Sequence, residues 1–232
     1  MLEFALKKNV KLPSDLSGFT TIEIESDTDT LKNDIKKWLN NVSRETAISV
    51  CARKDLETHK TLYERWNYAK EITIVNYAAS SFLIPTIASD SVYNMNNKAI
   101  FEEKIQQGTK FRFVIVRPNS YAARDAANNK MKIMANSDIS PNDIFAKSVS
   151  VLKGLKEVYG NCIQFKLTKI ALTYAAIWVV NDDEHRFMNH IKIDLYAPYI
   201  LDSNRRSFIV NYGDENYNFF MENITDIWEH NG

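Results

Sequence analysis

The sequence predicts an α/β protein, a mixed β-sheet flanked by helices on both faces. Three observations carry that reading. Short apolar runs alternate with amphipathic helical stretches over the first two thirds of the chain. A strand-rich section follows, and an amphipathic helix closes the chain. Gly and Pro are scarce, 6 and 5 in 232 residues, and neither clusters into a linker, so the elements belong to one packed body and not to beads on a string.

Taken in order, residues 1–19 have the weakest pattern and read as an N-terminal arm. "TTIEIES" (20–26) alternates like a strand. The next segment opens on capping residues and sets Leu31, Ile35, Trp38, Leu39 and Val42 on one helical face. "TAISVCA" (46–52) is nearly continuous in apolar residues, as a buried strand is. Residues 54–70 read as a helix that turns Leu56, Leu62, Tyr63 and Trp66 inward. "EITIVNY" (71–77) and "KFRFVIV" (110–116) are further buried strands. Between them Pro85 limits any helix to a short one, and "NKAIFEEKIQQG" is a helix that Gly108 terminates. Pro118 ends the 110–116 strand and a helix starts directly after it.

The clearest boundaries belong to 141–159. Ser140 can cap, Pro141 fits the first helical position, Asp143 favours the first turn, and Gly160 closes the helix. Four strand-like runs come next: "CIQFKL", "AAIWVV", "HIKIDLY" and "SFIVNY". The polar "NDDEHRFMN" forms a hairpin loop between the second and third. Over 215–229, Tyr217, Phe220, Met221, Ile224, Ile227 and Trp228 make the apolar stripe of a final helix.

Composition narrows the function classes. Lys+Arg and Asp+Glu are both 29, so the formal net charge is zero, and that disfavours a dedicated nucleic-acid binder. Cys51 and Cys162 sit in apolar runs and read as free buried thiols, not a disulfide framework. The N-terminal stretch lacks a signal-peptide pattern, and no apolar run approaches the ~20 residues of a membrane span. Asn, Lys and Ile are frequent, as in an AT-rich genome, so a cytoplasmic protein of bacterial or phage source with no membrane partner is the expectation.

Several stretches in series carry a family resemblance: "AKEITIVNYAASSFL", "IFEEKIQQGTKFRFVIVRPNSYAARDAANNK", the 141–159 helix, "TYAAIWVVNDD", "HIKIDLYAP" and "YNFFMENITDIWE". Their order resembles the phospholipase D-like superfamily, and within it the bacterial domains that lack the catalytic motif. The likeness covers residues 68–232, within a single domain over 20–232. Residues 20–66 would add strands and helices to that domain or form a degenerate partner half. In active members of the family the signature is H-x-K-x4-D-x6-G-S-x-N. Its His attacks phosphorus, Lys and Asn hold phosphate oxygens, and Asp orients the His.

By position, that signature falls on "TYAAIWVVNDD". With Asp182 on the signature Asp, Ala175 and Ile177 take the His and Lys places; with Asn181 there, Tyr174 and Ala176 do. Neither register supplies a nucleophile. An H-x-K does occur one strand later, His190–Lys192. Its spacing puts Ala197 at the Asp position, and no G-S-x-N follows. His190, Lys192 and Asp194 alternate with Ile191, Ile193 and Leu195, so the triplet also reads as the polar face of a strand. No pair of His or Cys has metal-ligand spacing, although His185 and His190 flank an acidic turn of Asp182, Asp183 and Glu184. P-loop, dinucleotide-binding and nucleophile-elbow motifs are absent, and no cofactor is expected.

One candidate ligand site remains. Arg117 ends a strand, Asn119 and Ser120 begin the next helix, Arg124 lies one turn in, and Asn76 ends the neighbouring strand. Strand C-termini, helix N-termini and guanidinium forks all suit an anion. The same residues also read as a helix cap and surface ion pairs. The resulting expectation is a catalytically inactive phospholipase D-like module for sensing or protein interaction in bacterial regulation or defence, taking an anionic small molecule or a protein as partner and forming a homodimer. Two alternatives stand beside it: an active phosphodiesterase or nuclease using His190, Lys192 and Arg117, and a structural subunit of a larger complex.

Overall fold

In the computed structural model the described residues are 49–52, 62–84, 97–126, 141–196 and 206–230. The chain separates into two units, Met1–Thr46 and Ala47–Gly232, and every described residue lies in the second. The arm over 1–19, the strand over 20–26 and the helix after it fall outside the described residues.

The described strands are β1 (Ser49–Ala52), β2 (Ala69–Asn76), β3 (Lys110–Val116), β4 (Ile163–Thr168), β5 (Tyr174–Asn181), β6 (His190–Leu195) and β7 (Arg206–Asn211). They form one open sheet in the order β1-β7-β6-β5-β2-β3-β4. Pairing is parallel for β2-β3 and β3-β4, and antiparallel for the rest, so the sheet is mixed. The helices are α1 (Ser80–Leu83), α2 (Asn97–Gln106), α3 (Tyr121–Asp125), α4 (Pro141–Tyr159) and α5 (Glu215–Glu229). The α/β class is as the sequence predicts, and the bounds of β3, α4 and α5 coincide with those read from it.

Register fixes the two faces. Ile72 and Ile74 align with Phe111 and Phe113, which align with Ile163 and Phe165. Phe101 of α2 packs edge-on against Phe111 and Phe113 at 4.7 and 5.9 Å, and Lys156 of α4 lies 6.0 Å over Phe165, so α2 and α4 cover this face. On the opposite face Trp228 of α5 lies between Arg112 (5.4 Å) and Lys166 (5.1 Å). Further along α5, the Tyr217 hydroxyl accepts a 2.8 Å bond from Trp178 Nε1. Burial pushes the Tyr217 phenol up to about 12.

The helix expected over 54–70 stops early. Among the described residues it is helical at 62–65, passes through a 3-10 turn at Trp66–Tyr68, and gives way to β2 at Ala69. The Trp66 ring is 2% exposed and stacks on Phe82, so this turn is a core plug and not a surface helix end. The buried Lys104 ammonium ties α2 to the turn by donating to Asn67 Oδ1 at 2.8 Å. It also donates to Glu103 and Gln107, each at 3.0 Å, which spends all three N–H groups of the charge.

Candidate functional site

The H-x-K triplet lies on β6 with its polar side turned into the protein. His190 is 1% exposed, and Lys192 and Asp194 are 7% each. The alternation is as read from the sequence, but the polar face is interior. Antiparallel pairing explains why: it sets Asp194 beside Ser207 and His190 beside Asn211, on the side of the sheet that the 62–68 segment covers.

Each polar group there has a local partner. Lys192 Nζ donates to Asp194 Oδ2 at 3.0 Å, and the Ser207 hydroxyl donates to Asp194 Oδ1. Arg65 donates to Asn211 Oδ1 at 2.7 Å. The His190 ring meets the Met188 carbonyl at 3.0 Å through Nδ1. A carbonyl can only accept, so Nδ1 carries the proton. Burial, offset in part by that carbonyl and reinforced by the Arg65 and Lys192 charges, pushes the imidazole down to about 4. The ring is therefore neutral at pH 7.

Leu62, Tyr63, Trp66, Ile177, His190 and Lys192 line a cavity of about 20 Å³. That space suits a single water and is far too small for a phosphodiester. Among the described residues, Trp66 Nε1 and the two polar side-chain atoms of Asn181 are buried without a hydrogen-bond partner.

Arg117 does not join this group. His190 is level with Val179, Val179 with Ile72, and Ile72 with Phe111. Arg117 is six residues beyond Phe111, about 20 Å along the strand, and three strand spacings, about 14 Å, separate β3 from β6. A phosphodiesterase centre made of His190, Lys192 and Arg117 is thus not assembled.

At the other end of the sheet the candidate anion site is largely occupied with its own folding. Ser120 Oγ caps α3 by accepting from Ala123 N at 3.1 Å. Asn119 adopts a left-handed backbone (φ 61°) and exchanges two bonds with Asn142, 3.0 Å at its N–H and 2.6 Å at its Oδ1. Asn76 Oδ1 accepts from Ala78 N and Ala79 N at 3.2 and 3.1 Å, which holds the turn after β2. Arg117 and Arg124 are exposed and, among the described residues, make no ion pair. The helix they border has only five residues, so its dipole offers an anion little.

The β5–β6 turn is a surface feature. His185 Nδ1 donates to Asp182 Oδ1 at 2.7 Å, and its ring stacks on Tyr68 with centroids 3.6 Å apart. That hydrogen bond holds the Asp182 carboxyl below its ordinary value. No group of three metal-ligating side chains occurs among the described residues. Nor is any described helix long and apolar enough to cross a membrane.

One further concavity has no local signal in the sequence. A cleft of about 180 Å³ opens beyond the C-terminal end of β4, lined by Thr168, Ile170, Leu172, Tyr174, Asn223 and Ile227 among others. The Tyr174 hydroxyl donates to Asn223 Oδ1 across it at 2.9 Å. Its walls come from the segment before β5 and from α5; Tyr174 and Asn223, which meet across it, are 49 residues apart in the chain, and no spacing rule links them.

No protein-family model matches this chain, and no curated protein matches it. Among solved structures it is similar to TrmBL2, described as an archaeal chromatin protein with a novel mode of DNA binding. The identity is 11% and the TM-score 0.41; the match covers 88% of this chain and 62% of that one.

Proposed function

We propose that this domain is a phospholipase D-like module without phosphodiesterase chemistry, which binds a small molecule or a protein in bacterial regulation or defence. The burial of the H-x-K triplet carries the reading. A nucleophilic His must reach phosphorus, and a phosphate-holding Lys must have donors to spare. His190 is instead enclosed, with room for one water beside it, and Lys192 is paired to Asp194. The strand end and helix start that would cradle an anion use Ser120 and Asn119 for capping and for the tie to Asn142. The cleft beside Tyr174 and Asn223 is the concavity best placed for a small ligand, since open α/β sheets bind at the carboxyl ends of parallel strands.

Hydrolysis of bis-p-nitrophenyl phosphate and of single- and double-stranded DNA tests this. Purified protein is expected to give background rates, unchanged by His190→Ala. Turnover that survives repurification and vanishes in His190→Ala overturns it.

A further inference from the structure

Strand β4 ends the described sheet, and its outer side, which no described strand pairs, is the feature that carries a further inference. Arg117 N donates to the Thr168 carbonyl at 2.8 Å, so the backbone of Thr168 turns toward β3. Backbone groups alternate along a strand, so Lys166 and Gln164 also turn toward β3, while Ile163, Phe165 and Leu167 turn outward. The Ile163 N–H is spent on the Gly160 carbonyl. The Ile163 carbonyl, both backbone groups of Phe165 and both of Leu167 have no hydrogen-bond partner among the described residues. Natural sheets blunt such edges with proline, a bulge or a projecting lysine. This strand, "IQFKLT", has neither proline nor a register shift. Its one lysine lies over the Trp228 ring, on the face of the sheet and not across its edge.

The geometry points to a second copy of this chain as the occupant, with the two β4 strands antiparallel about a two-fold axis through Phe165. A two-fold axis normal to the sheet keeps each face on its own side, so the paired residues must share a face. Centring on Phe165 meets that condition and also mates the outward backbone groups. The two Phe165 residues exchange two hydrogen bonds, and each Leu167 N–H donates to the partner copy's Ile163 carbonyl, giving four. Leu167 then faces Ile163 on the apolar side. On the other side Lys166 faces Gln164, with no like-charge contact. Centring on Lys166 instead would oppose two ammonium groups and mate backbone groups already used by β3. The dimer stands on strand geometry and does not depend on the absence of hydrolytic activity.

The test is a register-specific cross-link in the full chain, with Cys51 and Cys162 both replaced by Ala. Gln164→Cys and Lys166→Cys are prepared separately. In the expected register these positions form a non-hydrogen-bonded pair with Cβ atoms about 4.5–5.5 Å apart, close enough for a disulfide after a small adjustment. Equal positions on the two copies lie on the diagonal, roughly 7–8 Å apart. Oxidation of the mixture should therefore yield a covalent dimer holding one of each variant, and oxidation of either alone should not. Light scattering of the unmodified chain should approach twice 26.8 kDa as concentration rises. Phe165→Asp, which opposes two carboxylates on the axis, should weaken the dimer at least about tenfold while circular dichroism stays native. Equal cross-linking in the single variants, no cross-link in the mixture, or a monomer mass at every concentration overturns the proposal.

Discussion

Strands β2, β3 and β4 cover one face of the sheet with Ile72, Ile74, Phe111, Phe113 and Ile163, each fully buried. Strands β6 and β7 continue that same face with His190, Lys192, Asp194 and Ser207, also buried. The parallel part follows the rule that such strands read as apolar runs. Its stability comes from burial of area, which is graded and independent of pH. The antiparallel part encloses an ion pair, a neutral imidazole and a hydroxyl, and their worth depends on every partner being present and correctly protonated. Two regions of one sheet, both buried, should therefore fail in different ways.

The largest expected contrast is in the ion pair. Asp194→Ala leaves the Lys192 ammonium buried without its counter-ion and should cost roughly 3–5 kcal/mol. Replacing both, Lys192→Met with Asp194→Leu, should recover most of that loss, because two charges then no longer need burying. Urea unfolding of the three proteins checks this. Equal losses in the single and double variants would show that packing, and not charge, dominates this region.

Acid should separate the regions next. His190 titrates near 4 when folded and near 6.5 when unfolded. Between those values the unfolded chain takes up a proton that the folded chain refuses. Stability is therefore full above about pH 6.5 and falls as pH drops toward 4, by on the order of 3 kcal/mol. His190→Gln has no such proton and should flatten that part of the profile, whatever its stability at pH 7. Melting curves across pH 4–7 decide it, and parallel profiles for the two proteins would mean that the ring is not held neutral.

The smallest effect belongs to the apolar region. Ile74→Val removes one buried methylene between β3 and β5 and should cost about 0.5–1.5 kcal/mol. That loss should be the same at pH 5 and pH 7. A pH-dependent cost would show that the two regions are coupled through β5, which contacts both.

Much of the architecture is legible because its signals are local. Pro141 and Gly160 mark both ends of α4, and Gly160 does adopt the left-handed conformation (φ 55°) that ends a helix. Continuous apolar runs mark β2 and β3. Alternation in "HIKIDL" locates β6 and sorts its side chains into two sets, but it is silent on the burial of the polar set along with the apolar one. That depends on Ser207 and Asn211 of a strand later in the chain and on the Trp66 turn that covers them, none within local reach. The same limit applies to Asn119. A cap at Ser120 is readable from its neighbours, whereas the tie to Asn142 joins residues 23 apart. Residue types at a strand end suggested an anion site; only the structure reveals that Asn76, Asn119 and Ser120 are engaged in local turns, a cap and the tie to Asn142, while Arg117 and Arg124 make no ion pair among the described residues.

The pairing of β1 with β7 has a consequence for how the chain leaves the ribosome. Ala52 aligns with Arg206, so β1 emerges about 150 residues before its neighbour exists. At translation rates of roughly 5–20 residues per second, that interval is on the order of 10–30 s. Strands β2, β3 and β4 are made in sequence and pair in that order, so the apolar ladder can close while synthesis continues. Strand β1 must wait, with its own backbone unpaired by β7, until the last strand is released from the exit tunnel. Nascent chains arrested shortly before Arg206 would hold a nearly complete sheet that still lacks its outermost pair.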